Sequence, residues 1–381
     1  MHGHDLKLLI PAALDMTYLN VGTLGPTPGT ALAAAAASEL EWVQAGPGQE
    51  VHYLDAHAKV RSFAHRLERA MPGGVISMTQ NNSESLLRVL WGLSWHSGDE
   101  VVITDHEHDA VVLSLSALMR RVDIRVRVVS VDSAEGLLDE MAHMVNPRTR
   151  LVIMSHVSYL TGWELPVAKV ANLIASYPNC RLLVDGAQSL GNIVVEPSRL
   201  GADFYCFCGH KWMMAPPGWA ALWVRSDRRD ELGVRWPLKP RRVDPRILEK
   251  GPILEYSDGG DDLEYGTRCW PRISGWSVTW DYFEEEGFSQ NAQYQRHVAD
   301  EAREALRGIK GLQVMDPPDG LSATALMSVI CHSMGSGLSD WLLKRNVVVK
   351  PQPLVQGVRI SWAAFNTADD IESLVRACHS L

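Results

Sequence analysis

The sequence predicts an α/β fold, a mostly parallel sheet with helices on both faces, followed by a smaller α+β domain. Two observations carry this. As far as Arg225, short apolar runs alternate with helix-length stretches, the pattern of strands joined by helical crossovers. The last third instead combines a long helical region with short strands.

Residues 1–30 read as irregular, with Asn20-Val-Gly-Thr-Leu-Gly-Pro-Thr-Pro28 a Gly/Pro-rich loop. Helices are expected near Ala31–Gln44 and Tyr53–Ala70. Strand Val75–Thr79, helix Ser83–Leu93, strand Glu100–Thr104 and helix Ala110–Met119 follow. Further strands are expected at Ile124–Val131, Leu151–Ser155 and Arg181–Asp185, with a helix near Val167–Ser176. An aromatic run from Phe204 reads as a buried strand stopping at Gly209, and Ala220–Arg225 as another strand. Residues 228–272, rich in Arg, Pro, Asp and Gly, read as loop. A helical region then runs to about Arg307, followed by strands at Ala325–Cys331, Val347–Lys350 and Val358–Trp362. The last helix opens at Thr367-Ala-Asp-Asp370, a capping-box pattern with Asp in the Glu position.

The chain has 381 residues, 46% hydrophobic and 21% charged, enough for a large core and two domains. A net charge of −9 disfavours a nucleic-acid surface. No apolar run is long enough to span a bilayer, and no export signal opens the chain. Six cysteines without regular spacing suggest neither disulfides nor metal, and a cytoplasmic location is expected. Cys206 and Cys208 would share a strand face as buried thiols.

Ligands of such sheets bind at the carboxyl ends of the strands, where the chemically suggestive residues fall. Lys211 follows a buried strand, a setting that suits Schiff-base chemistry because burial disfavours the ammonium. Thr79-Gln-Asn-Asn-Ser-Glu84 joins strand to helix, where N–H groups favour an anion; Ser83 would cap the helix or bind a phosphate oxygen. Asp105-His-Glu-His-Asp109 could chelate a metal, but neighbours on one loop do this poorly, and His108 suits ring stacking better. Asp185 ends an apolar strand, either as a structural cap or as partner to a protonated ring nitrogen. Arg359, inside a short strand, wants a planar carboxylate, from a ligand or from an internal salt bridge.

The ordered set resembles the class V aminotransferase family of fold-type I pyridoxal-phosphate (PLP) enzymes, which includes cysteine desulfurases and isopenicillin N epimerase-like proteins. Val184-Asp-Gly-Ala-Gln188, Gly209-His-Lys211 and Gly266-Thr-Arg268 carry it, and it runs from Tyr18-Leu-Asn20 to Phe365-Asn-Thr367. It implies a large PLP-binding domain with a seven-stranded sheet (31–265), a small C-terminal domain (266–381) and an N-terminal segment (1–30) reaching the active site. Lys211 would hold PLP covalently and move the Cα proton, with Asp185 on the pyridine N–H and His108 stacked on the ring. Gln188 would approach the phenolic oxygen, and Asn81, Asn82, Ser83 and His210 would hold the phosphate. Thr267 would reach the phosphate of a second subunit, so a homodimer with shared active sites is implied. Arg359 would grip the carboxylate of an amino-acid substrate, near Asn20, Thr23 and Tyr159.

Three departures matter. Tyr159, in His156-Val-Ser-Tyr159, stands where desulfurases usually carry Asn. Cys208 replaces a phosphate-binding Ser of many relatives. The segment Val347–Arg359 has no cysteine where desulfurases carry their sulfur acceptor, and Lys350-Pro-Gln-Pro353 stands there instead. The expected reaction is therefore β-elimination (C–S cleavage) on an S-substituted cysteine conjugate, as in secondary metabolism such as lincosamide-type antibiotic pathways. Epimerisation, transamination and non-catalytic PLP binding are the alternatives. Trp163, Trp212, Trp219 and Trp270 near the site loops would suit a bulky substrate, but most of them are expected in the core or at a dimer interface.

Overall fold

The computed structural model describes residues 3–46, 48–233, 245–251, 259–379 and 381. Its centre is a seven-stranded sheet: β1 (Gly74–Thr79), β2 (Glu100–Thr104), β3 (Arg125–Val129), β4 (Thr149–Ser155), β5 (Arg181–Asp185), β6 (Phe204–Cys208) and β7 (Ala220–Arg225). The spatial order is β1-β7-β6-β5-β4-β2-β3. β7 runs antiparallel to both neighbours, while the other pairs are parallel.

The interior strands are continuous apolar runs because both faces are covered. Val102, Val152, Val184 and Phe207 enter one core; Val101, Ile153, Leu183 and Cys206, one residue out of phase, enter the other. Helices α1 (Gly29–Ala45), α2 (Glu50–Ala70), α3 (Asn82–Gly92), α4 (Asp109–Met119), α5 (Ala134–Met144) and α6 (Val167–Ile174) belong to this part of the chain. From β2 the chain steps outward to β3, then returns to β4 and proceeds to β7. The strand order therefore reverses between β2 and β4, where a crevice opens beyond the carboxyl ends.

Beyond this lie α7 (Ile273–Glu286) and α8 (Phe288–Arg307), two helices where the sequence suggests one region; Gly287, at φ 92°, separates them. A four-stranded antiparallel sheet follows, in the order β8 (Leu312–Val314), β9 (Leu326–Cys331), β11 (Gly357–Ser361), β10 (Lys350–Gln352). The short α9 (Leu338–Leu343) and the final α10 (Ala368–Cys378) complete it, and Thr367 and Asp370 do form the capping box.

The N-terminal segment is more ordered than its Gly/Pro content suggests. Helical turns occupy His4–Lys7 and Pro11–Asp15, and Thr17–Tyr18 pairs in parallel with Val347–Val348. Helix α5 also escapes the sequence reading, although Ser133 caps it by accepting from Gly136 N–H at 2.9 Å. Within 228–272 the regular elements among the described residues are 3₁₀ turns; residues 234–244 and 252–258 of that expected loop lie outside the described residues.

The two sheets meet through backbone and buried polar bonds. Trp163–Glu164 pairs with Ser322–Ala323, and Thr324 Oγ1 donates to Gly162 O at 2.8 Å. Gly162 sits at φ 83°, and a Cβ there would fall 2.0 Å from Leu326 O. Gly162→Ala is therefore expected to cost roughly 2–4 kcal/mol of stability, from left-handed strain plus overlap with backbone. Urea unfolding should show a lower midpoint with an unchanged slope.

Candidate active site

β6 consists of five buried residues, and its chain turns sharply at Gly209, where a Cβ would lie 2.6 Å from the Trp276 ring. Gly209 O accepts from Ala215 N–H and Lys211 O from Met214 N–H, each at 2.9 Å, closing a tight loop. Trp212 anchors this loop: it is fully buried, and its Nε1 donates to Gln188 Oε1 at 2.9 Å. Lys211 is held half-buried between His210 and Trp212, and among the described residues its Nζ has no hydrogen-bond or ion-pair partner. Gly25 N–H donates to His210 O at 2.8 Å, so the N-terminal loop lies directly on the lysine turn. His210 Nδ1 is buried without a partner, and burial pushes this imidazole down to about 4.

Asp185 ends β5, buried, and its Oδ1 accepts from Asn82 Nδ2 at 2.6 Å and Ala187 N–H at 2.9 Å. No arginine or lysine pairs with it among the described residues. Asn81, not Ser83, caps α3, accepting from Glu84 N–H at 2.9 Å. The helix starts two residues earlier than Ser83 capping requires, so Ser83 lies exposed in the first turn. Asn82 spends its amide N–H on Asp185, and its Oδ1 is buried without a partner.

The reversal crevice holds Asp105–Asp109 and Ser155–Tyr159. Among the described residues no three His, Cys, Asp or Glu side chains group to hold a metal. His106 packs against Trp163 at 5.6 Å. His108 caps α4, its Nδ1 accepting from Ala110 N–H at 3.1 Å, which places the neutral ring's proton on Nε2. Burial, then the nearby Lys211 charge, lowers its pKa. Its ring meets Tyr159 edge to face at 5.0 Å.

Glu107, fully enclosed, is a residue that sequence reasoning did not single out. Its Oε1 accepts from Thr104 Oγ1 at 2.6 Å and Ser155 N–H at 2.9 Å; its Oε2 contacts Ser155 Oγ at 3.0 Å. Burial, reinforced by Asp185, raises this carboxyl to about 7. The available signal was its place in Asp105-His-Glu-His-Asp109, directly after a buried strand.

Arg359 lies on β11, 4% exposed. Its Nη2 donates to Thr23 Oγ1 at 2.8 Å and its Nη1 to Tyr159 O at 3.2 Å, while Nε is buried without a partner. No acidic residue pairs with it among the described residues, which removes the internal salt bridge as an explanation. Burial pulls the guanidinium down to about 10. Asn20 bridges Ser361 on the same strand, and its Oδ1 is likewise orphaned.

One cavity of about 120 Å³ is lined by Asn81, Asn82, Ser83, His108, Tyr159, Asp185, Gln188, His210 and Lys211, together with Ser155 and Cys208. Cys208 is 3% exposed, and burial drives its thiol up to about 11. Gln188 is largely committed, donating from Nε2 to Gly22 O at 2.8 Å while accepting from Trp212. Arg359 adjoins the cavity through Tyr159, whose carbonyl it holds. Thr267 lies apart and exposed, beside buried Arg268, which donates to Met78 O and pairs with Glu84. The tryptophans take the core reading rather than the substrate one: Trp212, Trp219 and Trp270 are buried in the core and do not line the cavity, and Trp163 spends its N–H on Met315 O at 3.3 Å.

These residues fit PLP. A buried carboxylate without a cation matches a ring N–H, and an unpaired amine matches an aldehyde. A helix N-terminus beside an orphaned imidazole nitrogen suits a phosphate.

A family model described as Aminotransferase class-V matches residues 50–374. The chain is 29% identical over 358 residues to a cysteine desulfurase of Haloferax volcanii, covering 86% of this chain and 78% of that protein. The cystine C–S lyase C-DES, solved with its product cysteine persulfide, superposes with a TM-score of 0.88 at 25% identity, covering 98% of this chain and 99% of that one. A C-DES mutant with glycine covalently linked to its PLP cofactor gives 0.89 at 24% identity with the same coverage, a likeness of fold.

The contact between the N-terminal loop and the lysine turn has a sharp test. A Cβ on Gly25 would fall 2.1 Å from Lys211 O. Gly25→Ala should weaken PLP binding by at least about 10-fold, because the lysine turn must move. Titration of the cofactor absorbance measures this directly.

Proposed function

The chain belongs to the class-V aminotransferase family, and we propose that it is a PLP-dependent lyase that breaks the Cβ–S bond of a cysteine-derived amino acid. The observation that carries this is Arg359: a buried guanidinium without an anion, beside a cavity that presents Lys211, Asp185 and His108. An amino-acid carboxylate supplies the missing partner.

Thr23 Oγ1 and the Tyr159 carbonyl fix two guanidinium nitrogens and thereby orient the fork that receives the carboxylate. Asp185, accepting two N–H bonds, would hold the pyridine N–H, and Lys211 the aldehyde carbon. Bound PLP supplies an electron sink for charge developing at the substrate Cα. Lys211 Nζ takes the Cα proton. His108, whose neutral ring carries its proton on Nε2 in the cavity, would donate to the departing sulfur. The balanced overall reaction consumes one water and gives a thiol, pyruvate and ammonia.

The choice of lyase over desulfurase rests on cysteine placement. The segment Val347–Arg359 contains none, and Lys350–Gln352 is pinned as strand β10 against β11. Cys331 is 2% exposed within β9, and Cys208 is buried with a protonated thiol. Sulfur therefore leaves on a small molecule: a thiol from an S-substituted cysteine, a persulfide from cystine. The similarity to the cystine lyase C-DES supports this reading. A homodimer belongs to the same proposal. Exposed Leu32, Leu40 and Val43 on α1, with Leu54 on α2, offer an apolar face, and Thr267 is free to reach a second copy.

The test is the PLP-loaded protein in deuterated water with cystine, S-alkyl cysteines and unbranched amino acids, followed by mass spectrometry. Pyruvate with free thiol or persulfide is expected. Deuterium at Cα with an intact carbon skeleton would replace the lyase reading by epimerisation. Lys211→Ala should abolish the cofactor's absorbance shift and turnover. Arg359→Gln should raise KM for the amino acid by about 100-fold while leaving PLP affinity within about 3-fold, since only a ligand carboxylate loses its partner. Equal loss of both would reassign Arg359 to the scaffold.

A further inference from the structure

We propose that Glu107 is a positioning residue that works as a neutral carboxyl, closing the β2–β4 crevice, turning the Ser155 hydroxyl into the cavity and leaving Asp185 as the carboxylate there. The link to the cofactor rests on the PLP reading; the protonation state does not.

Glu107 is 6% exposed at the point where the strand order reverses, and it ties the end of β2 through Thr104 to the end of β4 through Ser155. Ser155 is the Cα partner of Asp185 on β5, so two buried carboxyl groups, those of Asp185 and Glu107, are neighbours beside the cavity. Two such groups do not both ionise without a cation between them. Among the described residues no arginine or lysine pairs with either. The titratable groups facing Glu107 are Asp185 from β5 and Tyr159 from the turn after β4, with His106 and His108 in its own turn.

Hydrogen-bond partners decide which carboxyl holds the proton. Asp185 accepts from two N–H groups that can only donate. Glu107 has one fixed donor, Ser155 N–H, and two hydroxyl partners whose direction can reverse. A protonated Oε2 donates to Ser155 Oγ across the 3.0 Å contact. The Ser155 hydroxyl hydrogen is then released toward the cavity that Ser155 lines.

The sign of the pH effect follows. A carboxyl raised by burial stabilises the fold while protonated. Between its unfolded value of about 4.3 and its folded value of about 7, that contribution is lost as pH rises. Cofactor-free wild type should therefore lose Tm across this window relative to Glu107→Gln.

The deciding experiment is infrared difference spectroscopy of the cofactor-free protein near pH 5.5, wild type against Glu107→Gln, with PLP titrations of wild type, Glu107→Gln and Glu107→Ala. A carboxylic-acid C=O band absent from Glu107→Gln is expected, fading as pH passes about 7. Glu107→Gln should keep PLP affinity within about 3-fold, because the amide reproduces both the acceptor and the donor; Glu107→Ala should lose at least about 10-fold. No acid band in wild type, or a Glu107→Gln as weak as Glu107→Ala, overturns the proposal. Should Glu107→Ala not fold, the band and the Glu107→Gln titration still decide. Failure of wild type to bind PLP would sink the function proposed above, whereas the band would still judge Glu107.

Discussion

A buried guanidinium without a counter-ion is the constraint around which this site is arranged. Removing Arg359 from water without an anion costs several kcal/mol, and the fold offsets only part of it with a carbonyl and a threonine hydroxyl. Those two partners come from different parts of the chain. Thr23 belongs to the N-terminal segment and Tyr159 to the turn after β4, while Arg359 is on the small sheet. The residue that asks for a ligand is thus the residue at which three segments converge. Ligand carboxylate would bind and lock that junction in one event, which couples substrate capture to the relative placement of the two sheets.

The junction also explains why the N-terminal segment is ordered despite its glycine and proline content. Gly22 O accepts from Gln188, Gly22 N–H donates to Ser361, and Gly25 N–H donates to His210 O. Each bond requires backbone to lie where a side chain would collide. Gln188 is itself clamped by Trp212, so the loop, the Asp185 turn and the Lys211 turn form one connected polar network. Tight placement of Lys211 is a property of that network, not of the strand that precedes it.

The sheet and most site residues were legible because their signals are local. A continuous apolar run ending in a single charged residue, as at Asp185 and Lys211, identifies a strand end with a purpose. Arg359 was legible for the same reason, but its lack of an acidic partner was not, since absence of a contact is a tertiary fact. Of the two readings of Ser83 only the cap is lost, because Asn81 and Ser83 are both good caps and only the helix start decides between them. Glu107 was passed over because its neighbours His106 and His108 look more chemical, while its significance lies in Ser155, far along the chain. The tryptophans were legible mainly as core: Trp212 stands beside Lys211 in sequence, yet its ring faces the core and serves the turn.

Charge is rationed at this site in a way that matches the proposed ligands. Burial lowers His108, holds His210 at about 4 and raises Cys208 to about 11, so these groups stay neutral near pH 7. They serve as donors, acceptors and packing surface without adding fields. Three groups remain whose charge or reactivity has no internal counterpart: Asp185, Lys211 and Arg359. A cofactor ring nitrogen, a cofactor aldehyde and a substrate carboxylate answer them one for one. A structural network would have paired Asp185 with Lys211 directly, since both line one small cavity, or given Arg359, which adjoins it through Tyr159, an acidic partner. That the fold keeps them apart, at a cost in stability, is the physical reason to read the cavity as a site for an amino acid bound to PLP.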